Sequence, residues 1–198
     1  MKSESNKLAV RGELALIAMV IMNSAGVLLM LHSGSGISAI SSVPYGFQQV
    51  FPQLTLGTWT YMFQGLLVLV LMLLRRKFIP SYLFSFVVGF VFGKLMDLEK
   101  PFIDALPLNI PMRVLYFVLS YLILCFGISL GNRCGLPITP TDLFPREMAD
   151  ITKLPYARVK ITFDLTCLIT TAVITFVGVG AIRGLGIGTV VAACTMGK

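Results

Sequence analysis

Apolar positions gather into six runs, at about residues 14–33, 57–74, 79–96, 112–130, 156–177 and 184–197. Most approach the roughly 20 residues a helix needs to cross the hydrocarbon core of a bilayer. The pattern predicts an all-α membrane protein with about six transmembrane helices. Two segments break it. Residues 35–56 and 136–155 each open with a Gly-rich turn, continue as a short helix-like stretch containing a proline, and end before a new apolar run. Such a linker is an interfacial helix, a partly re-entrant segment or a surface loop. Irregular backbone at membrane depth requires protein or a water-filled cavity around it.

The two linkers occupy matching places because the chain is written twice. Ala25 to Gly34 aligns with Phe126 to Gly135, Gly36-Ile37-Ser38 with Pro137-Ile138-Thr139, and Val43-Pro44 with Phe144-Pro145. After a one-residue slip, Leu54 falls on Leu154 and Gln64 on Asp164. Identities are few and similarities many, but the match runs in order along nearly the whole chain. It places one repeat at about 14–97 and the other at about 112–198, within a single membrane domain. Each copy holds three apolar runs, and an odd number of crossings turns the second copy over relative to the first. Inverted repeats are a recurring plan of membrane transporters.

Composition agrees with this class. Of 198 residues, 56% are hydrophobic and 13% charged, against about 25% charged in soluble domains, and the mean hydropathy is +0.86. The net charge of +7 follows topology rather than a nucleic-acid surface. With the N-terminus in the cytoplasm, inner segments hold Lys2, Lys7, Arg11, Arg75, Arg76, Lys77, Arg133, Arg146, Lys153, Arg158 and Lys160. Outer segments hold Lys94, Lys100, Arg113 and Arg183. That bias predicts both termini in the cytoplasm. Glu4 and Glu13 interrupt the pattern of a cleavable leader, so the first run reads as a membrane helix. The last run is short and ends at Lys198, which predicts a tail beyond it. Cys125, Cys134, Cys167 and Cys194 form no CxxC pair and read as small packing residues. No cofactor or metal is expected.

Ionisable residues inside a membrane are costly and are functional candidates by default. Asp164 lies about two turns into the fifth run, and its repeat partner is Gln64. On inverted helices the two would meet near a pseudo-two-fold axis, where repeat transporters bind substrate. The competing role for Asp164 is an ion pair with Arg158 or Lys160, the latter four residues away on the same helix. In the second linker, Thr139 suits a helix N-cap, Pro140 the first helical position, and Asp142 completes a capping box. The first linker offers Ser38 and Ser41 at the equivalent places, without the proline or the acid. His32 and Arg133 are also repeat equivalents, each at the end of its first helix. There they serve either as cations favoured by the helix dipole or as an anion site at each mouth of a pathway. Asn23 and Asn132 are further polar residues at or near membrane depth. Gly178, Gly180, Gly184, Gly186 and Gly188 permit close helix approach.

Gly135-Leu136-Pro137-Ile138-Thr139-Pro140-Thr141-Asp142, followed by a short helix and by Gly186-Ile187-Gly188-Thr189, resembles the YczE/YyaS/YitT-type bacterial integral membrane proteins. Their pattern runs G-L-G-x-[ST]-P-x-D and then G-x-G-T, so this chain departs at Pro137, and its first copy departs further with Ala39 and Ser41. The resemblance implies a bacterial inner-membrane protein of about six helices and a transport role. The residues lead to the same expectation. A small polar or charged solute would sit between the repeats near Gln64 and Asp164, with Thr139, Asp142, Ser38 and Ser41 at the linker entrances. The partners expected are the lipid bilayer and that solute. A homodimer also fits, because six short helices make a thin wall. Two alternatives stay open: a substrate-binding membrane subunit of an energy-coupling-factor vitamin importer, and a non-transporting scaffold or regulator. No nucleophile motif, phosphate loop or HExxH is present, so an enzyme is not expected.

Overall fold

The computed structural model describes residues 2–186, 188–190 and 193, with side chains described from Gly12 onward except at 132 and 133. Seven helices precede residue 180: α1 (Lys2–His32), α2 (Ser42–Val50), α3 (Leu56–Arg75), α4 (Pro80–Asp104), α5 (Ile110–Arg133), α6 (Pro140–Thr152) and α7 (Tyr156–Val179). Among the described residues there is no strand. Five segments are long and apolar enough to cross a membrane: Gly12–His32, Leu56–Arg75, Pro80–Asp104, Ile110–Gly131 and Tyr156–Val179. Residues 188–190 and 193 are helical, and the rest of the sixth predicted run lies outside the described residues. The chain has the architecture of a multi-pass, all-α membrane protein.

Local chemistry explains where the helices start. Thr55 caps α3 by accepting the Thr58 N–H at 3.1 Å. Pro80, Pro111 and Pro140 sit in the first turns of α4, α5 and α6, where a missing N–H costs nothing. The hydroxyls of Thr166, Thr170, Thr171 and Thr175 donate to carbonyls one turn back, at 2.8 Å each. Self-satisfaction of this kind lets α7 carry polar residues through an apolar layer.

One boundary differs from the sequence expectation. The third run was expected to end near residue 96, yet α4 continues to Asp104. Its charged end has partners in the fold. Asp97 accepts the Gly57 N–H at 2.9 Å and the Thr55 hydroxyl at 2.7 Å, so it supplements the cap of α3. Lys100 pairs with Asp104 at 2.5 Å, one turn on. Hydropathy ends where these residues begin, but the helix does not.

α1 packs along α5, and α3 along α4. Glycines set both approaches. A Cβ on Gly57 would run into the Gly93 carbonyl, one on Gly26 would press on Leu124, and one on Gly127 would strike Asn23 Oδ1. The outward faces remain apolar and exposed, with Leu83, Phe84, Val87 and Phe90 on α4, Val114, Val118 and Leu122 on α5, and Ile169, Val173 and Phe176 on α7. A perimeter of this size needs lipid around it.

The first parts of both linkers are buried or half-buried, and their last residues, 51–55 and 152–155, are exposed. Ile37, Ala39, Ile40, Ser42 and Val43 are buried in the first, and Ile138, Thr139 and Leu143 in the second. Both α2 and α6 pack against α3 and α7. Gly34 and Gly135 open these linkers with φ of 76° and 67°, a left-handed turn that glycine adopts at little cost. The backbone of the first linker is tied down by Ile37 N–H to Gly184 O and Gly188 N–H to Ser35 O, both at 3.0 Å.

Candidate functional site

The starts of α2 and α6 and the first halves of α3 and α7, with residues of α1, α4 and α5, line a cavity of about 70 Å³. Ser38, Ser41, Gln64, Thr139, Asp142 and Asp164 all line it. Six of the residues singled out from sequence therefore share one chamber. Asn23, Thr60, Thr141 and Lys160 join them.

On α7, Lys160 Nζ donates to both carboxylate oxygens of Asp164, at 2.7 and 2.8 Å. The side chains are 7% and 2% exposed. A buried charge demands a partner of this quality, because desolvation costs several kcal/mol per ion. So Asp164 carries its own counter-ion, and of the two partners considered from sequence it is Lys160 that engages it.

On α3, Thr60 and Gln64 repeat the same four-residue spacing without charge. Thr60 donates back to Leu56 O at 2.8 Å and is satisfied. Gln64 is fully buried, and neither its Oε1 nor its Nε2 has a hydrogen-bond partner. Leaving such a group unpaired costs about 1–3 kcal/mol. The amide is packed against Gly89 of α4, where a Cβ would overlap it. Asn23 of α1 is a smaller instance, its Oδ1 unpaired against Gly127.

At the start of α6, Thr139 occupies the N-cap and Pro140 the first helical position, as expected. The capping box itself does not form. The Thr139 hydroxyl makes no cap bond to the backbone and instead donates to Asp142 Oδ2 at 2.9 Å, while Thr141 donates to Thr139 Oγ1 at 3.2 Å. The backbone closes the turn alone, through Asp142 N–H to Thr139 O at 3.0 Å. Asp142 is thereby turned into the cavity. Burial pushes its carboxyl above the usual carboxylate range, although Lys160, the Thr139 hydroxyl and Arg146 pull the other way. The first linker carries the same bond in neutral form, Ser38 Oγ to Ser41 Oγ at 2.9 Å.

His32 lies elsewhere. Its Nε2 donates to the Leu106 carbonyl at 3.1 Å, its Nδ1 is 3.8 Å from Asp104, and its ring packs on Tyr116. It ties the end of α1 to the α4–α5 turn. Arg133 ends α5, and its side chain lies outside the described residues.

A family model for a family of unknown function, DUF6198, matches residues 10–198. The chain belongs to this family. No curated protein and no solved structure matches it. The DUF6198 match spans both linkers and every cavity residue named above.

Sequence reading missed one feature beside the chamber. Arg75, at the end of α3, reaches Glu147 and Asp150 of α6 at 2.6 Å each, and Tyr82 of α4 donates to the same Glu147 oxygen. This network fastens the outer face of α6 to two membrane-length helices. The signal in the sequence was the pair of acids three residues apart on a short helix; its partner Arg75 lies 72 residues from Glu147 along the chain.

Proposed function

We propose that this DUF6198 protein is a small transporter of a bacterial inner membrane, with both termini cytoplasmic, that binds a small polar or charged solute between two inverted repeats. The observation that carries this reading is the central chamber. It lies among membrane-length helices and holds a buried ion pair, a second acid and a carboxamide with no partner. A packing core has no use for such a set, and intramembrane ionisable groups mark substrate or ion pathways.

Four correspondences support the repeat. Ser38–Ser41 and Thr139–Asp142 make the same side-chain bond at 2.9 Å. α2 and α6 each pack on both α3 and α7. Gly26 faces Leu124 while Gly127 faces Asn23, and these are reciprocal positions in the alignment of the two copies. Gly34 and Gly135 adopt the same left-handed turn. In this arrangement α2 and α6 are opposite covers of one chamber. Ser42 and Thr171 hold α2 through a buried hydroxyl contact of 2.8 Å, and the Arg75 network holds α6.

The test is a thermal-shift screen of the purified full chain in detergent against inorganic cations, amines, amino acids, vitamins and organic anions, run beside Asp164→Asn. A solute that stabilises the protein by mass action, and loses that effect in the variant, supports the reading. A screen in which no class of solute stabilises the protein counts against it and favours a scaffold role.

A further inference from the structure

Building on the transporter reading, we infer that the chamber exchanges a proton for a small organic monocation with N–H donors, an ammonium or guanidinium, at Asp142. Charge balance is the first argument. Two carboxylates and one ammonium line the chamber, and the ammonium is held by both oxygens of Asp164. One negative charge is left over, on Asp142. Facing it from α7 are Lys160, Asp164 and Tyr156, and from α6 itself the exposed Arg146. α3 presents only neutral Thr60 and Gln64 here, because Arg75 is committed to Glu147 and Asp150.

An uncompensated carboxylate in a desolvated chamber is neutralised either by a proton or by a bound cation. The upward shift of the Asp142 titration, caused by burial, agrees with the first of these. The second is what a solute supplies. In the exchange the cation docks on the carboxylate, the Asp142 O–H bond breaks, and one proton leaves to water. The chamber's charge is the same before and after. Two occupants that exclude each other at one group are the minimal requirement for coupled counter-transport.

The unpaired amides define the rest of the ligand. Gln64 is fully buried with both polar atoms unsatisfied, and Asn23 Oδ1 is unsatisfied across the same chamber. Carboxamide oxygens accept N–H groups. Both oxygens lie against glycine, Gly89 and Gly127, so each amide turns toward the chamber to meet a ligand. A guanidinium or primary ammonium can then place one donor on Asp142 and others on the turned amides. A quaternary ammonium brings the charge without the donors and leaves Gln64 unpaired.

The experiment is calorimetric titration of the detergent-purified full chain with millimolar guanidinium or methylammonium chloride. It is run at constant ionic strength from about pH 5 to 8, in buffers of different ionisation enthalpy, so that proton release is counted directly. The expected result is proton release that grows toward the acid end, with affinity weakening as pH falls there and levelling off above the carboxyl's titration. Tetramethylammonium should bind at least about tenfold more weakly. Asp142→Asn should abolish proton release and weaken guanidinium binding by about tenfold or more. Gln64→Met should weaken guanidinium binding while proton release persists. Thr139→Val, which removes a bond to the charged form, should shift the pH midpoint upward. These last two variants carry the test even where Asp142→Asn does not fold. Binding that is independent of pH and releases no proton, or that is unchanged in Asp142→Asn, overturns the inference. Binding of neutral or anionic solutes, with ammonium and guanidinium inert, overturns it while leaving the transporter reading standing. Failure of every solute class sinks both.

Discussion

α3 and α7 meet across the chamber with the same spacing and opposite character. α7 brings Lys160 and Asp164, an ion pair closed at 2.7 and 2.8 Å. α3 brings Thr60 and Gln64, one satisfied against its own backbone and the other unsatisfied. The short helices repeat the contrast, hydroxyl to hydroxyl at the head of α2 and hydroxyl to carboxylate at the head of α6. The two halves share hydrogen-bond geometry and glycine turns but not charge. Each buried ion pair carries a desolvation penalty that its Coulomb gain scarcely offsets. A scaffold can be doubled at little cost, whereas a second charged pair in the same chamber would add that penalty again. On the transporter reading proposed above, the repeat would supply two equivalent covers and the asymmetry one place for a charged solute.

The sharpest way to break the comparison is to remove one member of the pair. Lys160→Met strands a carboxylate that is 2% exposed, and the expected loss is about 3–5 kcal/mol. The readout is thermal unfolding or the monodisperse yield in detergent. The double variant Lys160→Met/Asp164→Leu removes both charges and should recover most of that loss. Equal stability of the single variant and the native chain would mean that the pair is not desolvated as described. The neutral counterpart, Thr60→Val, breaks only a bond to its own helix and should cost far less.

The short helices give the next contrast. At a pH above the Asp142 titration, Thr139→Val removes a bond to a carboxylate, worth about 1.5–3 kcal/mol, and Ser38→Ala removes one between neutral hydroxyls, worth about 1 kcal/mol. Unfolding midpoints of the two variants should therefore separate, with Thr139→Val the lower. Coincident midpoints would show that Asp142 draws no more from its hydroxyl than Ser41 does.

Much of this site was legible in the sequence. The alignment of the two proposed copies pairs Gln64 with Asp164 and Ser38 with Thr139, and all four line one chamber. The all-helical, multi-pass class followed from run length, and five of the runs correspond to membrane-length helices. What could not be read were the partners of charges in three dimensions. The alignment groups His32 with Arg133, yet the His32 hydrogen bond goes to Leu106, 74 residues along the chain, and Asp104 lies 3.8 Å from its ring. The end of α4 was hidden because Asp97 and Lys100 look like a solvated terminus, whereas Asp97 is bonded to the start of α3. The capping box was a sound local inference that tertiary surroundings overrode. Inside a cavity, the Thr139 hydroxyl has a carboxylate within reach and bonds it in place of a backbone amide.

Glycines test the helix approaches that both halves depend on. A Cβ on Gly57 meets the Gly93 carbonyl, which is backbone, while a Cβ on Gly26 meets the end of Leu124, which is flexible. Overpacking typically costs about 1–3 kcal/mol. Gly57→Ala should fall at the upper end and Gly26→Ala at the lower, read as shifts in thermal midpoint. The reverse order would mean that α3 and α4 can separate more readily than α1 and α5.

The finest contrast lies within α6, between the acid that faces the chamber and one that faces water. Asp150 is exposed and bonded to Arg75 and Lys153, which hold its carboxyl below the usual range. Its contribution to stability is present above the ordinary carboxylate pKa and is lost as pH falls through the lowered value. Solvent and salt screen it, so the effect is small. Asp142 is displaced the other way by burial. The fold prefers its protonated form, so it imposes no penalty below the ordinary carboxylate pKa. The penalty grows as pH rises toward the raised value and is complete above it. Asp142→Asn should therefore gain stability relative to the native chain as pH rises from about 4 to 8. Asp150→Asn should lose stability relative to it as pH rises through the window below about 4, and converge with it in stronger acid. Thermal midpoints of the three proteins from about pH 2 to 8 check both signs. Parallel curves for the two variants would show that α6 presents the same environment on both faces. Asp142 would then be an ordinary surface acid and not the charged group of a chamber.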